Sequence, residues 1–198
     1  MQKRHACPPA RSSRQSAHRC TLNPSPASPH GQVKPQFAYA AGKAPPSLDA
    51  LYDRLLAADA YVMVTPEYNH APSPALVNIL NHFGSSVFSF KPSAIVSYSQ
   101  GQWGGCRAAV GLRPILSELG CLPVSAMVHV PRAHQVLDET GTPTGGAKEA
   151  ERWHGYAHRT WSQLQWWGTA AKLHKQSNDP FAASPAFLSD PAQRNAAA

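Results

Sequence analysis

The chain lacks acidic residues over its first 47 positions, and it also lacks long hydrophobic runs and paired cysteines. No apolar run reaches the roughly 18 residues that a membrane-spanning helix needs, and no signal-peptide core is present. We therefore expect a soluble, intracellular protein with no membrane partner. The four cysteines are far apart and form no CxxC pair. Structural or incidental thiols are thus favoured over a zinc site or a disulfide framework, and no metal is expected.

The missing acidic residues concentrate the excess positive charge at one end of the chain. Residues 1–47 contain seven Lys and Arg, whereas residues 48–198 contain eleven Lys and Arg and eleven Asp and Glu. The formal net charge of +7 therefore belongs to the N-terminal segment, and the rest of the chain is neutral. A neutral domain lacks the basic face that neutralises phosphates, so no nucleic-acid partner is expected.

Both ends of the chain have the composition of disordered segments. Eight of the 19 prolines precede residue 48, where few bulky aliphatic side chains are present to offset the entropy of ordering. We predict a disordered basic leader over residues 1–46 and a disordered tail over residues 177–198, which leaves residues 47–176 as the folded domain. Acid-free leaders rich in Arg and Ser are typical of transit peptides, so an organelle is the alternative to a cytoplasmic location. A plain disordered tail or a wrongly assigned first exon would also explain the leader.

The first half of the domain alternates helical and strand patterns. Apolar spacing predicts a helix over residues 48–58, with Ser47 as its N-cap. The continuous apolar run 60–65 predicts a strand buried on both faces. Ser73 and Pro74 then have the residue types of an N-cap and a first helical residue, for a helix through about His82.

The second half repeats this alternation. A buried strand is predicted over residues 94–98, and a glycine-rich crossing leads from it into a helix that ends at Gly120. A third strand is predicted over residues 122–130. Strands separated by single helices form parallel sheets with right-handed crossovers, so the predicted fold class is α/β, a three-layer α/β/α sandwich.

A last long helix is predicted over residues 148–175. A spacing of 100° per residue places six side chains on one stripe, which we interpret as core: Trp153, Tyr156, Thr160, Leu164, Trp167 and Ala171. Trp166 falls on the opposite side of the helix. Because exposed tryptophans are uncommon, we favour a partner contact for Trp166 over a surface position without a role.

Two unusual turns follow neighbouring strands of the predicted sheet. The run Thr65-Pro66-Glu67-Tyr68-Asn69 leaves the first strand, and the run from Ser99 to Gly105 leaves the next. In open parallel sheets, ligands bind at the carboxyl ends of the strands. A flat heteroaromatic ring needs a rigid backbone, N–H donors and close approach, which prolines, amides and glycines supply. We therefore expect both turns to border one ligand site.

At these turns the chain resembles the NADPH-dependent FMN reductase family, flavodoxin-like enzymes that include soluble quinone and azo reductases. Residues 65–69 with the downstream Pro72, Ala75, Leu76 and Asn78 are similar to the family segment T-P-E-Y-N…P…L-K-N. Residues 97–105 resemble the family loop S-x-G-x-x-G-G. The resemblance covers about residues 48–140, and its most specific part is the five-residue run after a buried strand.

The resemblance implies an FMN-dependent NAD(P)H oxidoreductase. NADPH would pass a hydride to a noncovalently bound FMN, and a quinone, free flavin or similar small acceptor would then replace it in a ping-pong exchange. The cofactor carries the chemistry, so no catalytic side chain is predicted. The predicted cofactor-binding residues are Thr65, Pro66, Glu67, Tyr68, Asn69, Ser99, Gln100, Gly101, Gly104 and Gly105.

One family feature is missing from the sequence. Family members begin with a buried strand that runs into G-S-x-R-x-x-S-x-x-R, which holds the FMN phosphate at a helix N-terminus. The fragment 11–19 differs in spacing and has no apolar strand before it. The sequence thus predicts an N-terminally incomplete flavodoxin-like sheet, with an open edge at residues 60–65 and weaker FMN binding.

Two functions stay open, the oxidoreductase and a non-catalytic, truncated relative that acts as an oligomerising or partner-binding module. We expect a homodimer or homotetramer.

Overall fold

The computed structural model describes residues 34–40 and 42–183. The predictions for the rest of the leader and for residues 184–198 lie outside the described residues. The elements after a short 3₁₀ turn are α1 (Pro46–Ala57), β1 (Tyr61–Tyr68), β2 (Ala71–Pro72), α2 (Pro74–His82), α3 (Ser85–Phe88), β3 (Pro92–Tyr98), α4 (Cys106–Glu118), β4 (Leu122–Pro123), β5 (Val128–Val130), α5 (Ala133–Val136), α6 (Gly146–Lys175) and α7 (Pro180–Ala183).

The strands form one mainly parallel sheet. β1 and β3 are parallel neighbours from the pair Tyr61 and Ser93 to the pair Pro66 and Tyr98. β3 pairs on its other side with β4 and then β5, both parallel. β2 is antiparallel to the end of β1. Helices lie on both faces of this sheet, which confirms the predicted α/β class.

One face of the sheet carries the main hydrophobic core. Tyr61, Met63 and Ile95 point to this face and are almost completely buried. Side chains of the helices and of the C-cap of α2 cover them, chiefly Leu80, Phe83, Phe88, Leu112 and Leu116. The alternation of buried and exposed residues along β1 is the normal pattern of a strand with one packed face.

The opposite face is covered unevenly, and here the prediction that β1 is buried on both sides is wrong. Val62 and Val64 are 47% and 55% exposed. The reason is that α6 packs against β3 and β5 on this face, not over β1. Within the described ranges, residues 61–65 of β1 also pair only with β3, so the predicted open edge is present.

Two local predictions also need correction. Ser47 lies inside α1, whose N-cap is Pro45 with no side-chain hydrogen bond. Pro46 occupies the first helical position and starts the helix two residues earlier than predicted. The predicted third strand is two short strands, because the chain leaves the sheet after Pro123. The Arg113 guanidinium donates to the carbonyls of Pro123 and Val124 at 3.2 and 2.9 Å, which satisfies the backbone at this break.

The long C-terminal helix is present as predicted, but its buried stripe is shifted. Trp167 is 47% exposed, so its assignment to the core is wrong, and Trp166 is 72% exposed. The buried positions include Thr160 and Gly168. A Cβ at Gly168 would be 3.6 Å from the Ala60 side chain and 3.8 Å from that of Pro92, so this glycine marks where the helix approaches the sheet.

The described part of the predicted tail contains α7. Phe181 in α7 packs edge-to-face on Phe90, with ring centroids 5.6 Å apart. None of the helices in the described ranges combines the length and apolar composition needed to cross a bilayer.

Candidate functional site

The two unusual turns start side by side at the carboxyl ends of β1 and β3. Pro66 and Tyr98 form the last pair between these two strands. The chain then crosses from β1 to α2 and from β3 to α4, so the predicted site residues share one edge of the sheet. This is the position at which parallel sheets bind ligands.

The crossing after β1 is a tight hairpin, which the sequence analysis did not predict. Tyr68 pairs with Ala71 across a two-residue turn. Asn69 and His70 form this turn with φ of 49° and 62°. Two positive φ angles in succession are the geometry of the two-residue hairpin turns that match the twist of β-strands, and Asn tolerates that region better than most residues.

Thr65 holds this hairpin against the start of α2. The side chain is fully buried, and its hydroxyl accepts the Ser73 N–H at 2.9 Å while donating to the Pro66 carbonyl at 2.8 Å. The Ser73 hydroxyl in turn accepts the Leu76 N–H at 3.3 Å, which confirms Ser73 as the N-cap of α2. Thr65 therefore shapes the crossing from beneath and is not available as a ligand contact.

Glu67 connects the two crossings. Its Oε2 accepts the N–H groups of Arg107 and Ala108 at 3.1 and 3.3 Å, and the Arg107 guanidinium lies 3.8 Å from Oε1. These amides belong to the first turn of α4, where backbone N–H groups have no partner within the helix. A carboxylate is stabilised there by hydrogen bonds and by the helix dipole. The end of β1 is thus fixed to the helix that follows the glycine loop.

The glycine loop, residues 99–105, lies close against the strands beneath it. Gly104 and Gly105 have φ of 60° and 77°. A Cβ at Gly104 would be 2.9 Å from the Pro131 nitrogen, and one at Gly105 would be 2.9 Å from the Ser97 Cβ. Both positions exclude larger residues by conformation and by space. Gly101 is different, because an added Cβ there would meet nothing closer than 4.0 Å.

The segment after β5 anchors the other side of the glycine loop. The Arg132 and Ala133 N–H groups donate to the carbonyls of Gly101 and Ser99, each at 3.0 Å, and the Ser99 N–H donates to the Val130 carbonyl at 3.2 Å. A third piece of chain therefore borders the site. The loop is held at both ends before any ligand binds.

The ten predicted residues divide by exposure into a buried set, an intermediate set and an exposed set. Thr65, Gly104 and Gly105 are buried, Pro66, Glu67 and Ser99 are intermediate, and Tyr68, Asn69, Gln100 and Gly101 are exposed. The exposed and intermediate residues can offer side chains to a ligand, whereas the fully buried Thr65 shapes the backbone and the two buried glycines could offer only backbone groups. Trp103 adds an aromatic surface that was not predicted, 58% exposed, with the Arg107 guanidinium 5.7 Å from its ring centroid.

The two crossings expose Tyr68, Asn69, Gln100 and Gly101 at the surface, and a separate cavity lies elsewhere in the described residues. A cavity of about 460 Å³ is bordered by Lys91 and Lys175, at the start of β3 and so at the opposite end of that strand. We place the functional site at the crossings because backbone strain, close approach and exposed aromatic rings coincide there.

One pair of site residues was missed by sequence reasoning. The Ser97 hydroxyl is 2.8 Å from the Gly104 carbonyl oxygen and 2.7 Å from His129 Nδ1. Burial lowers the pKa of His129, which favours the neutral imidazole. The only signal in the sequence was a histidine between two strand valines, Val128 and Val130.

Comparison with known proteins identifies the family. A sequence model of the family described as NADPH-dependent FMN reductase matches residues 21–135, more than half of the chain. The chain belongs to this family. The resemblance to this family is thereby confirmed, and the match begins earlier than residue 48, where the resemblance was expected to begin.

Curated relatives match over part of their length. An NAD(P)H-dependent FMN reductase of Pseudomonas aeruginosa is 34% identical over 101 residues, which cover 49% of this chain and 55% of the relative. A probable NADPH:quinone oxidoreductase of Oryza sativa is 36% identical over 76 residues, 37% of this chain and 38% of the relative. The chain thus spans about half, or less, of the length of these relatives.

A solved structure supports the fold. FerB, a flavoenzyme NAD(P)H:(acceptor) oxidoreductase from Paracoccus denitrificans, superimposes with a TM-score of 0.55 at 23% identity, over 67% of this chain and 76% of FerB. This likeness confirms the flavodoxin-like fold of the FMN reductase family.

The role of the Thr65 hydroxyl can be tested by near-isosteric substitution. Thr65→Val removes the acceptor of a buried N–H, so we expect it to lower the free energy of unfolding by about 1–3 kcal/mol and to speed hydrogen exchange at the Ser73 amide. Thr65→Ser keeps the hydroxyl and should keep the Ser73 amide protected. Equal protection of Ser73 in both variants would show that the hydroxyl does not hold the crossing.

Gly105→Ala tests the strain in the glycine loop. The left-handed conformation costs an L-residue about 1–2 kcal/mol, and the contacts at Ser97 and Tyr98 add to this, so urea denaturation should show a clear loss of stability. The control is Gly155→Ala in α6, where a Cβ meets nothing within 4 Å; this variant should be stabilised by up to about 1 kcal/mol. Equal changes in stability in Gly105→Ala and Gly155→Ala would contradict the assignment of backbone strain to Gly105.

Proposed function

We propose that this protein is an FMN-dependent NAD(P)H oxidoreductase that transfers hydride to a quinone, free flavin or similar small acceptor by a ping-pong mechanism. The observation that carries the proposal is the joining of two adjacent strand-to-helix crossings by Glu67, in a chain that belongs to the FMN reductase family. The names of the Pseudomonas and rice relatives support the electron donor and the class of acceptor.

The described residues fit a flat ring held along one side. Residues 66–69 would form a rigid shelf for the ring, with the exposed Tyr68 and Asn69 as contacts. The backbone of residues 99–105 would approach the ring directly, because Gly101 carries no side chain and Gln100 is exposed. Gly104 and Gly105 allow this backbone to pack closely against β3 and β5. Glu67 sets the distance between the two sides and need not touch the ring.

FMN, when bound, supplies the redox chemistry by accepting a hydride from NAD(P)H and passing it to the acceptor. The protein's part is to bind and orient. Exposed aromatic rings at Tyr68 and Trp103 offer apolar surface to planar substrates beside the shelf. No side chain is assigned a proton-transfer role.

A homodimer or homotetramer in the cytoplasm, or in an organelle if the leader is a transit peptide, forms part of the proposal. The open edge of β1 and the exposed Trp166 support self-association, since unpaired strand edges and exposed tryptophans are common at protein interfaces. The same open edge, with the exposed Val62 and Val64, favours the alternative of a non-catalytic oligomerising or partner-binding module.

The purified full chain distinguishes the two functions. We expect it to bind FMN, detected by quenching of flavin fluorescence, and to oxidise NAD(P)H faster when a quinone is added. Tyr68→Ala should weaken FMN binding by about 1 kcal/mol, the typical size of an aromatic contact. Trp161→Ala, which removes an exposed ring on α6, is the matched control and should bind FMN normally. A colourless, inactive but soluble oligomer would reject the enzyme and support the binding module.

A further inference from the structure

The Ser97–His129 pair lies directly beneath the glycine loop. Ser97 on β3 and His129 on β5 are register partners in the parallel sheet. Ser97 is fully buried, and its hydroxyl reaches both the Gly104 carbonyl oxygen at 2.8 Å and the imidazole at 2.7 Å. The pair therefore connects two strands to the one loop that approaches the proposed ring.

A count of protons fixes the direction of these bonds. A serine hydroxyl has one hydrogen to donate, and a carbonyl oxygen can only accept. The hydroxyl therefore donates to Gly104, and both contacts are hydrogen bonds only when His129 carries its proton on Nδ1 and donates to Ser97. The lowered pKa of His129 agrees with a neutral ring that keeps this single Nδ1 proton.

The histidine is itself held in place by α6. The backbone N–H of His129 donates to the Tyr156 hydroxyl at 3.1 Å. A continuous series of bonds thus runs from α6 through β5 and β3 to Gly104. Because the peptide bond is planar and trans, a Gly104 carbonyl that points down to Ser97 makes the Gly105 N–H point the other way.

We propose that Ser97 and His129 are positioning residues for flavin binding. They set the distance of residues 104–105 from the strands beneath and the orientation of the peptide between Gly104 and Gly105. The inference rests on the proposed function. Neither side chain needs to touch the cofactor, because both act through the Gly104 carbonyl. Without the pair, the loop keeps its anchors at Ser99 and Gly101 but loses the bond that orients the peptide between Gly104 and Gly105.

The test compares His129→Leu and Ser97→Ala with His129→Asn, whose side-chain amide N–H can replace the Nδ1 donor. His154→Leu, at an exposed histidine of α6, is the matched control. Hydrogen exchange of residues 101–105 in the flavin-free protein and the Kd for FMN are measured on each variant. Urea denaturation of each variant ensures that the Kd is measured on folded protein.

We expect faster exchange in the loop and a Kd for FMN raised about ten-fold in His129→Leu and Ser97→Ala, as the loss of one orienting hydrogen bond predicts. His129→Asn should restore both quantities, and His154→Leu should change neither. A purely structural role would lower stability without changing the Kd of the folded protein. If the wild-type chain binds FMN and the variants bind it equally well, the inference fails alone; if the wild-type chain does not bind FMN, the proposed function fails and the inference with it.

Discussion

The hydrogen bonds from the first turn of α4 to the Glu67 carboxylate are the constraint on which the site depends. A negative charge at a helix N-terminus satisfies otherwise unpaired amides and complements the helix dipole. Because Glu67 ends one strand and α4 follows the glycine loop of its neighbour, this side chain fixes the distance between the two crossings. Thr65 and Ser97 perform the same task within each crossing, where a buried hydroxyl holds the backbone from beneath.

The two faces of β1 explain why the chain combines an ordered site with an open apolar surface. Met63 lies in the core, whereas Val62 and Val64 lie on the face that α6 leaves uncovered. The flavodoxin-like strand order places a further strand beside β1, at the edge where residues 61–65 have no partner among residues 34–40 and 42–183. The bonds that join the two crossings do not involve residues 61–65 at that edge, since they run from Glu67 to the first turn of α4.

The features predicted from the sequence were those set by local chemistry. Ser73 and Pro74 fix the start of α2 within a few residues, and the continuous apolar run fixes the position of β1. The errors involve distant contacts that a local pattern does not contain. The exposure of Val64 depends on where α6 lies. The break in the sheet after Pro123 depends on hydrogen bonds from Arg113. Trp167 falls outside the core because packing on the sheet sets the rotation of α6 about its axis. His129 was missed for the same reason, as its partner Ser97 is distant in sequence.

The central claim is that residues of both crossings bind the FMN ring together. Its most direct test is a titration of the full chain with FMN, monitored by the NMR signals of the backbone amides. If both crossings form one binding site, the signals of residues 66–69 and of residues 99–105 shift together and saturate at the same FMN concentration. Shifts confined to one crossing, or absent from both while FMN binds elsewhere, would contradict it.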